Sequence, residues 1–153
     1  MALDEALIKQ LLVVFEVELV EQIQLMTTGI LALEKAGNED AKKNLEDILR
    51  AAHTIKGAAR GVGQKDIVEV VHRLESIVSA LAKGVIQQTR TVLDLLLDAL
   101  DRIQDIFFSQ LNNQNYLFDF NELLINLDAC LNNIEADPVG LDVESIETVD
   151  SQS

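Results

Sequence analysis

His53, Lys56 and Gly57, in the stretch AAHTIKGAARGVG, are the residues of this 153-residue chain whose types and spacing could carry chemistry. A neutral imidazole is a good nucleophile near physiological pH and needs no deprotonated alkoxide to attack phosphorus. On a helix, residues three and four apart share a face, so the Lys56 ammonium can approach a phosphoryl group on the His53 ring. Gly57 stands among Ala51, Ala52, Ala58 and Ala59, where alanine would have served. A glycine inside a helix costs about 1 kcal/mol relative to alanine, so its presence predicts close approach to the backbone, as by a docking partner. His53 is therefore expected to be a phosphorylatable histidine.

If one ring nitrogen attacks, the other keeps its proton. A carboxylate accepting that N–H would fix the tautomer and stabilise the developing positive charge. The segment VVHRLES supplies His72 and Glu75. If the second and third helices are antiparallel neighbours, the His53/Lys56 face can meet the His72/Glu75 face, and Glu75 becomes the candidate acceptor. Taken alone, His72 and Glu75 read as an i,i+3 surface pair, and Lys56 and Arg60 as cations on a wet face.

These residues carry a resemblance. A histidine followed three and four residues later by lysine and glycine, with small residues after them, is the core signature of the histidine phosphotransfer (HPt) family, and His53, Lys56 and Gly57 match it. With His72 and Glu75 added, the chain most resembles the N-terminal phosphotransfer (P1) domain of chemotaxis CheA-type histidine kinases. FEVELVEQIQLMTTGILALEK resembles that subfamily's first helix and TVLDLLLDALDRIQDI its fourth, so the resemblance covers most of Leu3 to Ile134.

What the resemblance implies is a phosphocarrier of a two-component phosphorelay. His53 would accept a phosphoryl group from a kinase domain or a receiver aspartate and pass it to a response-regulator aspartate. Lys56, His72 and Glu75 would form a hydrogen-bonded cluster around His53, and Gly57 and Arg60 would meet the docking partner. The expected partners are a histidine kinase catalytic domain and a response-regulator receiver domain. The chain has no phosphate-binding loop or nucleotide-binding glycine series, so it is read as a carrier without its own ATP site or any cofactor. It is either free-standing or a fragment of a histidine kinase.

Composition points the same way. Aromatic residues make up 4%, there is one proline, and Leu, Ala, Val and Ile abound, which favours an all-α bundle over a sandwich or barrel. With a net charge of −14 and a pI near 4.3, the chain would repel nucleic acid and anionic membrane surfaces. Against that background Arg50, Lys56, Arg60, Lys65 and Arg73, with both histidines, form a basic island interrupted by Asp66 and Glu69. Cys130 is alone, so no internal disulfide or cysteine metal cage is expected. The amino terminus MALDEALIKQ has no basic leader and no apolar run is long enough to span a bilayer, so a cytoplasmic monomer is expected.

Five helices must position these residues. Leu12, Phe15, Leu19, Ile23, Met26, Ile30 and Leu33 recur at three and four, the stripe of a first helix ending near Gly37. Asn38 to Asp40 can start a second, with Leu45, Ile48, Ala52, Ile55 and Ala59 as its stripe until Gly61 and Gly63 stop it. A third runs from Ile67 to Leu81 and closes at Lys83 and Gly84. Thr91 with Asp94, and Asp119 with Glu122, resemble acidic capping boxes that would start the fourth and fifth, the latter continuing through Leu123, Leu127, Leu131 and Ile134. Short connections predict an up-and-down antiparallel four-helix bundle with the fifth helix packed at one end. Residues 1–135 then form the phosphotransfer domain, and the acidic residues 136–153, without Lys or Arg, read as a disordered linker or tail.

Two other readings compete. His53, His72 and Glu75 could ligate a metal in the bundle, although di-metal carboxylate bundles repeat Glu-x-x-His units, and this chain has one reversed His-x-x-Glu beside a lysine. The bundle could also be a passive interaction module bound through its acidic surface.

Overall fold

The structure, a computed structural model, describes residues 4–35 and 38–136. Over these residues the chain forms α1 (Glu5–Leu33), α2 (Asn38–Gly61), α3 (Lys65–Ala82), α4 (Arg90–Leu111) and α5 (Phe120–Ala136), with no strand. Helices α1 to α4 each pack on the next, and α4 returns to α1, closing a four-helix ring. The side chains give the directions. Phe15, early in α1, meets Phe107, late in α4, edge to face at 5.3 Å. Gln88, just before α4, donates to the Leu33 carbonyl at the end of α1. Successive helices therefore run antiparallel, and α5 lies against α3 and α4.

The stripes read from the sequence are the buried faces. Phe15, Leu19, Ile23, Met26, Ile30 and Leu33 of α1 are buried, and so are Ile48, Ala52, Ile55 and Ala59 of α2. Around them α3 contributes Ile67 to Leu81 at helical spacing and α4 Leu93 to Phe107. Leu123 and Leu127 bury α5. The α1 helix differs from a simple one-stripe helix, because Val13, Val14, Val17 and Val20 are also apolar yet exposed.

Helix ends follow local chemistry. Glycines in the left-handed region, Gly63 at φ 75° and Gly84 at φ 74°, close α2 and α3. The next N–H in each case returns to a carbonyl five residues earlier: Gln64 to Ala59 and Val85 to Ala80, both at 2.9 Å. Asn113 at φ 53° closes α4 in the same way, with Gln114 bonding Ser109. The α4 start differs from the sequence reading. Thr89, not Thr91, is the N-cap, its hydroxyl accepting the Val92 N–H at 3.2 Å, so Thr91 already lies inside the helix. Asp119 caps α5 as expected, accepting from Glu122 N–H at 3.0 Å. The first helix stops at Leu33, before the expected end, with Gly37 outside the described residues.

A tether seats α5. The Tyr116 hydroxyl, in the α4–α5 connection, donates to Asp66 at the start of α3 and accepts from Gln110. Burial, and next the Asp66 hydrogen bond, push its pKa up to about 12. Arg73 of α3 also bonds Asp128 of α5 at 2.9 Å.

Gly29 lets α1 and α2 approach. A Cβ there would lie 2.8 Å from Cγ1 of Ile48, which is 1% exposed. Alanine would gain about 1 kcal/mol in helix propensity, but overpacking a filled core costs about 1–3 kcal/mol. Gly29→Ala is therefore expected to lower the melting temperature in a thermal unfolding scan. The same substitution at Gly57, where a Cβ would meet nothing within 4 Å, should raise it.

No helix among the described residues is long and apolar enough to cross a membrane. Of residues 136–153, read from the sequence as linker or tail, Ala136 ends α5 and residues 137–153 lie outside the described residues, as does the side chain of Ile134.

Candidate functional site

Helices α2 and α3 build the site. Ile55 and Ala52 sink into the core, which leaves His53 on the rim of α2 and Lys56 half over the edge. On α3, Leu74 and Val78 are buried, and Glu75 sits beside them facing α2. The Glu75 carboxylate stands between two partners. Its Oε2 lies 3.3 Å from His53 Nδ1, and its Oε1 lies 2.5 Å from Lys56 Nζ.

Exposure separates the three side chains. The His53 side chain is 75% exposed, Glu75 16% and Lys56 14%. Glu75 Oε1 is buried, with no aligned hydrogen bond, so its contact with Lys56 is an ion pair held by charge. A largely buried carboxylate without its cation would carry an uncompensated charge, and so Lys56 and Glu75 each need the other. In the tautomer that carries its proton on Nδ1, His53 donates to Glu75. Nε2 then has no partner among the described residues, in a ring mostly open to solvent.

His72 is placed differently from the expected four-residue cluster. It is exposed and lines a cleft of about 540 Å³ with Lys56 and Glu75, but makes no hydrogen bond to them or to His53. The Glu75 oxygens face His53 and Lys56, and the His72 ring lies outside hydrogen-bond reach of either. Gly57 is exposed with open space where a side chain would go, which removes helix packing as its reason. Arg60 is exposed, without an ion-pair partner among the described residues.

The basic island is thinner than its composition. Asp47 holds Arg50 at 3.0 Å, and Arg73 turns away to Glu69 and Asp128. Lys56 stays beside His53 on Glu75, and Arg60, seven residues further along α2, lies on the same side of that helix. Among the described residues no three His, Cys, Asp or Glu side chains assemble as metal donors. At the position a metal would need between His53, His72 and Glu75, the carboxylate instead meets an ammonium. The cleft also contains Ser79 and Lys83, which the sequence reading did not place beside His53. They lie seven and eleven residues beyond His72, a helical spacing that marks the same face.

Comparison with known proteins gives this geometry its context. The chain is 33% identical over 119 residues to the chemotaxis protein CheA of Bacillus subtilis, a match covering 78% of this chain and 17% of that protein. It is 36% identical over 102 residues to the gliding motility regulatory protein of Myxococcus xanthus, covering 67% of this chain and 13% of that one. The chain thus matches only a small part of these relatives' length. In fold it is similar to the phosphorylated P1 domain of CheA3 from R. sphaeroides, solved in complex with CheY6, with a TM-score of 0.66 at 18% identity over 83% of this chain and 97% of that one. A family model described as the Hpt domain matches residues 10–106, a span that contains His53, Lys56, Gly57, His72 and Glu75. The chain belongs to the Hpt domain family.

Proposed function

We propose that the protein carries a phosphoryl group on Nε2 of His53, taking it from a histidine kinase catalytic domain or a receiver aspartate and delivering it to a response-regulator aspartate. The observation that carries this reading is the Glu75 carboxylate between His53 Nδ1 and Lys56 Nζ. It holds the proton on one ring nitrogen, frees the other, and keeps a cation within one turn of it. In the acceptor step Nε2 attacks phosphorus, and the bond from phosphorus to the donor's leaving oxygen breaks. That oxygen belongs to ATP in the kinase domain or to an aspartyl phosphate in the receiver. Nδ1 keeps its proton, and Glu75 offsets the positive charge on the ring. Lys56 keeps its pairing with Glu75 and has further N–H donors for the phosphoryl oxygens, which bring about two negative charges. In delivery a response-regulator aspartate attacks the phosphorus and the bond from phosphorus to Nε2 breaks, returning the neutral imidazole.

The family and the fold support this role, and the P1 domain of similar fold is itself phosphorylated and bound to CheY6. In this reading residues 1–135 are the carrier domain, Gly57 and Arg60 lie under the docked partner, and the relay operates in the cytoplasm. His72, outside the hydrogen-bonded group, has a secondary part at the edge of the cleft. Incubation with a kinase domain and ATP tests the proposal. The protein should gain an acid-labile, base-stable phosphate that a receiver domain then removes, and nitrogen-detected NMR should place it on Nε2. Label on Nδ1 would contradict the role given to Glu75.

The same geometry predicts the cost of losing the carboxylate. Hydrogen bonds to charged groups contribute about 1.5–3 kcal/mol, so Glu75→Ala should phosphorylate about 10- to 150-fold more slowly. Single-turnover labelling measures this, with circular dichroism as the check on folding. A wild-type rate would return Glu75 to a purely structural ion pair.

A further inference from the structure

Two grooves flank the His53 rim, and their chemistry differs. The groove between α1 and α2, about 810 Å³, includes Glu21 and Asp47, and its one cation, Arg50, is already held by Asp47. The cleft between α2 and α3, about 540 Å³, has the opposite character. Its single carboxylate, Glu75, is paired with Lys56, which leaves Lys83 as the cleft's cation without an ion-pair partner among the described residues.

Along α3 the residues His72, Ser76, Ser79 and Lys83 follow at steps of four, three and four, forming one stripe. At 1.5 Å per residue it is about 16 Å long, longer than a single small anion would use. Lys83, Ser79 and His72 have no hydrogen-bond or ion-pair partner for their side chains among the described residues. Leu49, Ala80 and Val85 give the cleft an apolar lining between these donors.

We propose that this stripe is a docking surface for an acidic segment of a protein that exchanges phosphate with His53. Carboxylates on the segment accept from Lys83, Ser79 and His72, while its apolar side chains rest on Leu49, Ala80 and Val85. The match is one of charge. With a net charge of −14, most of this surface repels an acidic partner, so a donor-lined cleft beside the reacting histidine sets where such a partner can approach. The proposal rests on the phosphocarrier reading for the partner's role, whereas the binding is measurable without phosphate transfer.

The test titrates isotope-labelled protein at low salt with three probes: a short blocked peptide alternating glutamate and leucine, its lysine counterpart, and inorganic phosphate. The acidic peptide should shift amide signals from Ser76 to Val85, and the shifts should fade with added salt and in Lys83→Glu. Lys83 is exposed at the end of α3, and a thermal scan checks that the variant stays folded. In transfer assays Lys83→Glu should raise KM for the kinase domain or the receiver about tenfold, more than it lowers kcat. The proposal is overturned if the acidic peptide leaves the stripe unmoved or the lysine peptide binds equally. It is also overturned if phosphate alone reproduces the shifts, or if Lys83→Glu leaves both KM values unchanged. Peptide binding in a protein that never accepts phosphate would uphold the surface and refute the phosphocarrier reading.

Discussion

His53→Gln protein should remain unlabelled when incubated with a competent phosphodonor under conditions that label the wild type fully. This is the largest effect expected of any single substitution, because the amide nitrogen of glutamine is no nucleophile. The fold should not suffer. The ring is 75% exposed and its one polar contact, to Glu75, is 3.3 Å long. Exposed substitutions usually change stability by about 0.5 kcal/mol or less, so helicity and melting temperature should stay close to wild type. Acid and base stability of the label, measured on the wild type, identifies the bond. Label persisting in His53→Gln would refute the assignment, and label recovered on His72 would move the phosphoacceptor to α3.

Gly57→Leu should separate folding from transfer. A Cβ at Gly57 meets nothing within 4 Å, so leucine projects into solvent and gains up to about 1 kcal/mol of helix propensity. The melting temperature should be unchanged or higher. A docked partner must bring its phosphorus to within bonding reach of His53 Nε2, and leucine one turn away would hold the two surfaces apart. Displacement by about 1 Å can cost a hundredfold in rate. Transfer to and from protein partners should therefore fall about that far, while a small phosphodonor, which docks on no broad surface, is much less affected. Normal transfer between proteins would mean that partners do not cover this position. Equal loss with small donors would mean that the substitution disturbs His53 itself.

Sequence periodicity made most of the bundle legible, because burial of one helix face imposes spacing that the chain must obey. Phe15 to Leu33 and Ile67 to Leu81 fall on the buried faces where their spacing puts them. The spacing of His53 and Lys56 and of Glu75 within VVHRLES predicted that these side chains would meet, and the structure brings them together. What failed was whatever depended on choosing among near neighbours. Thr89 and Thr91 both suit a helix start, and the connection from α3, tied to Leu33 through Gln88, decides for Thr89. His72 and Glu75 lie on the same side of α3, but which groups of α2 meet the carboxylate is set only in three dimensions, where His53 and Lys56 reach it and His72 does not. Gly29 carried no sequence signal, since its purpose is the nearness of Ile48 on another helix. The basic island misled for a related reason, because charge counted along the chain takes no account of Asp47 and Asp128.

His53 and Glu75 are 22 residues apart, at matching heights on two helices joined by a short turn. Closing a loop of that size is entropically cheap, since the cost grows only with the logarithm of length. The His53–Glu75–Lys56 constellation is thus a product of one helical hairpin and needs only α2 and α3 to meet. Phe15 and Phe107, 92 residues apart, face a longer search. Weakening the α1–α4 seam should hasten unfolding while leaving the His53–Glu75 contact intact in every molecule that remains folded.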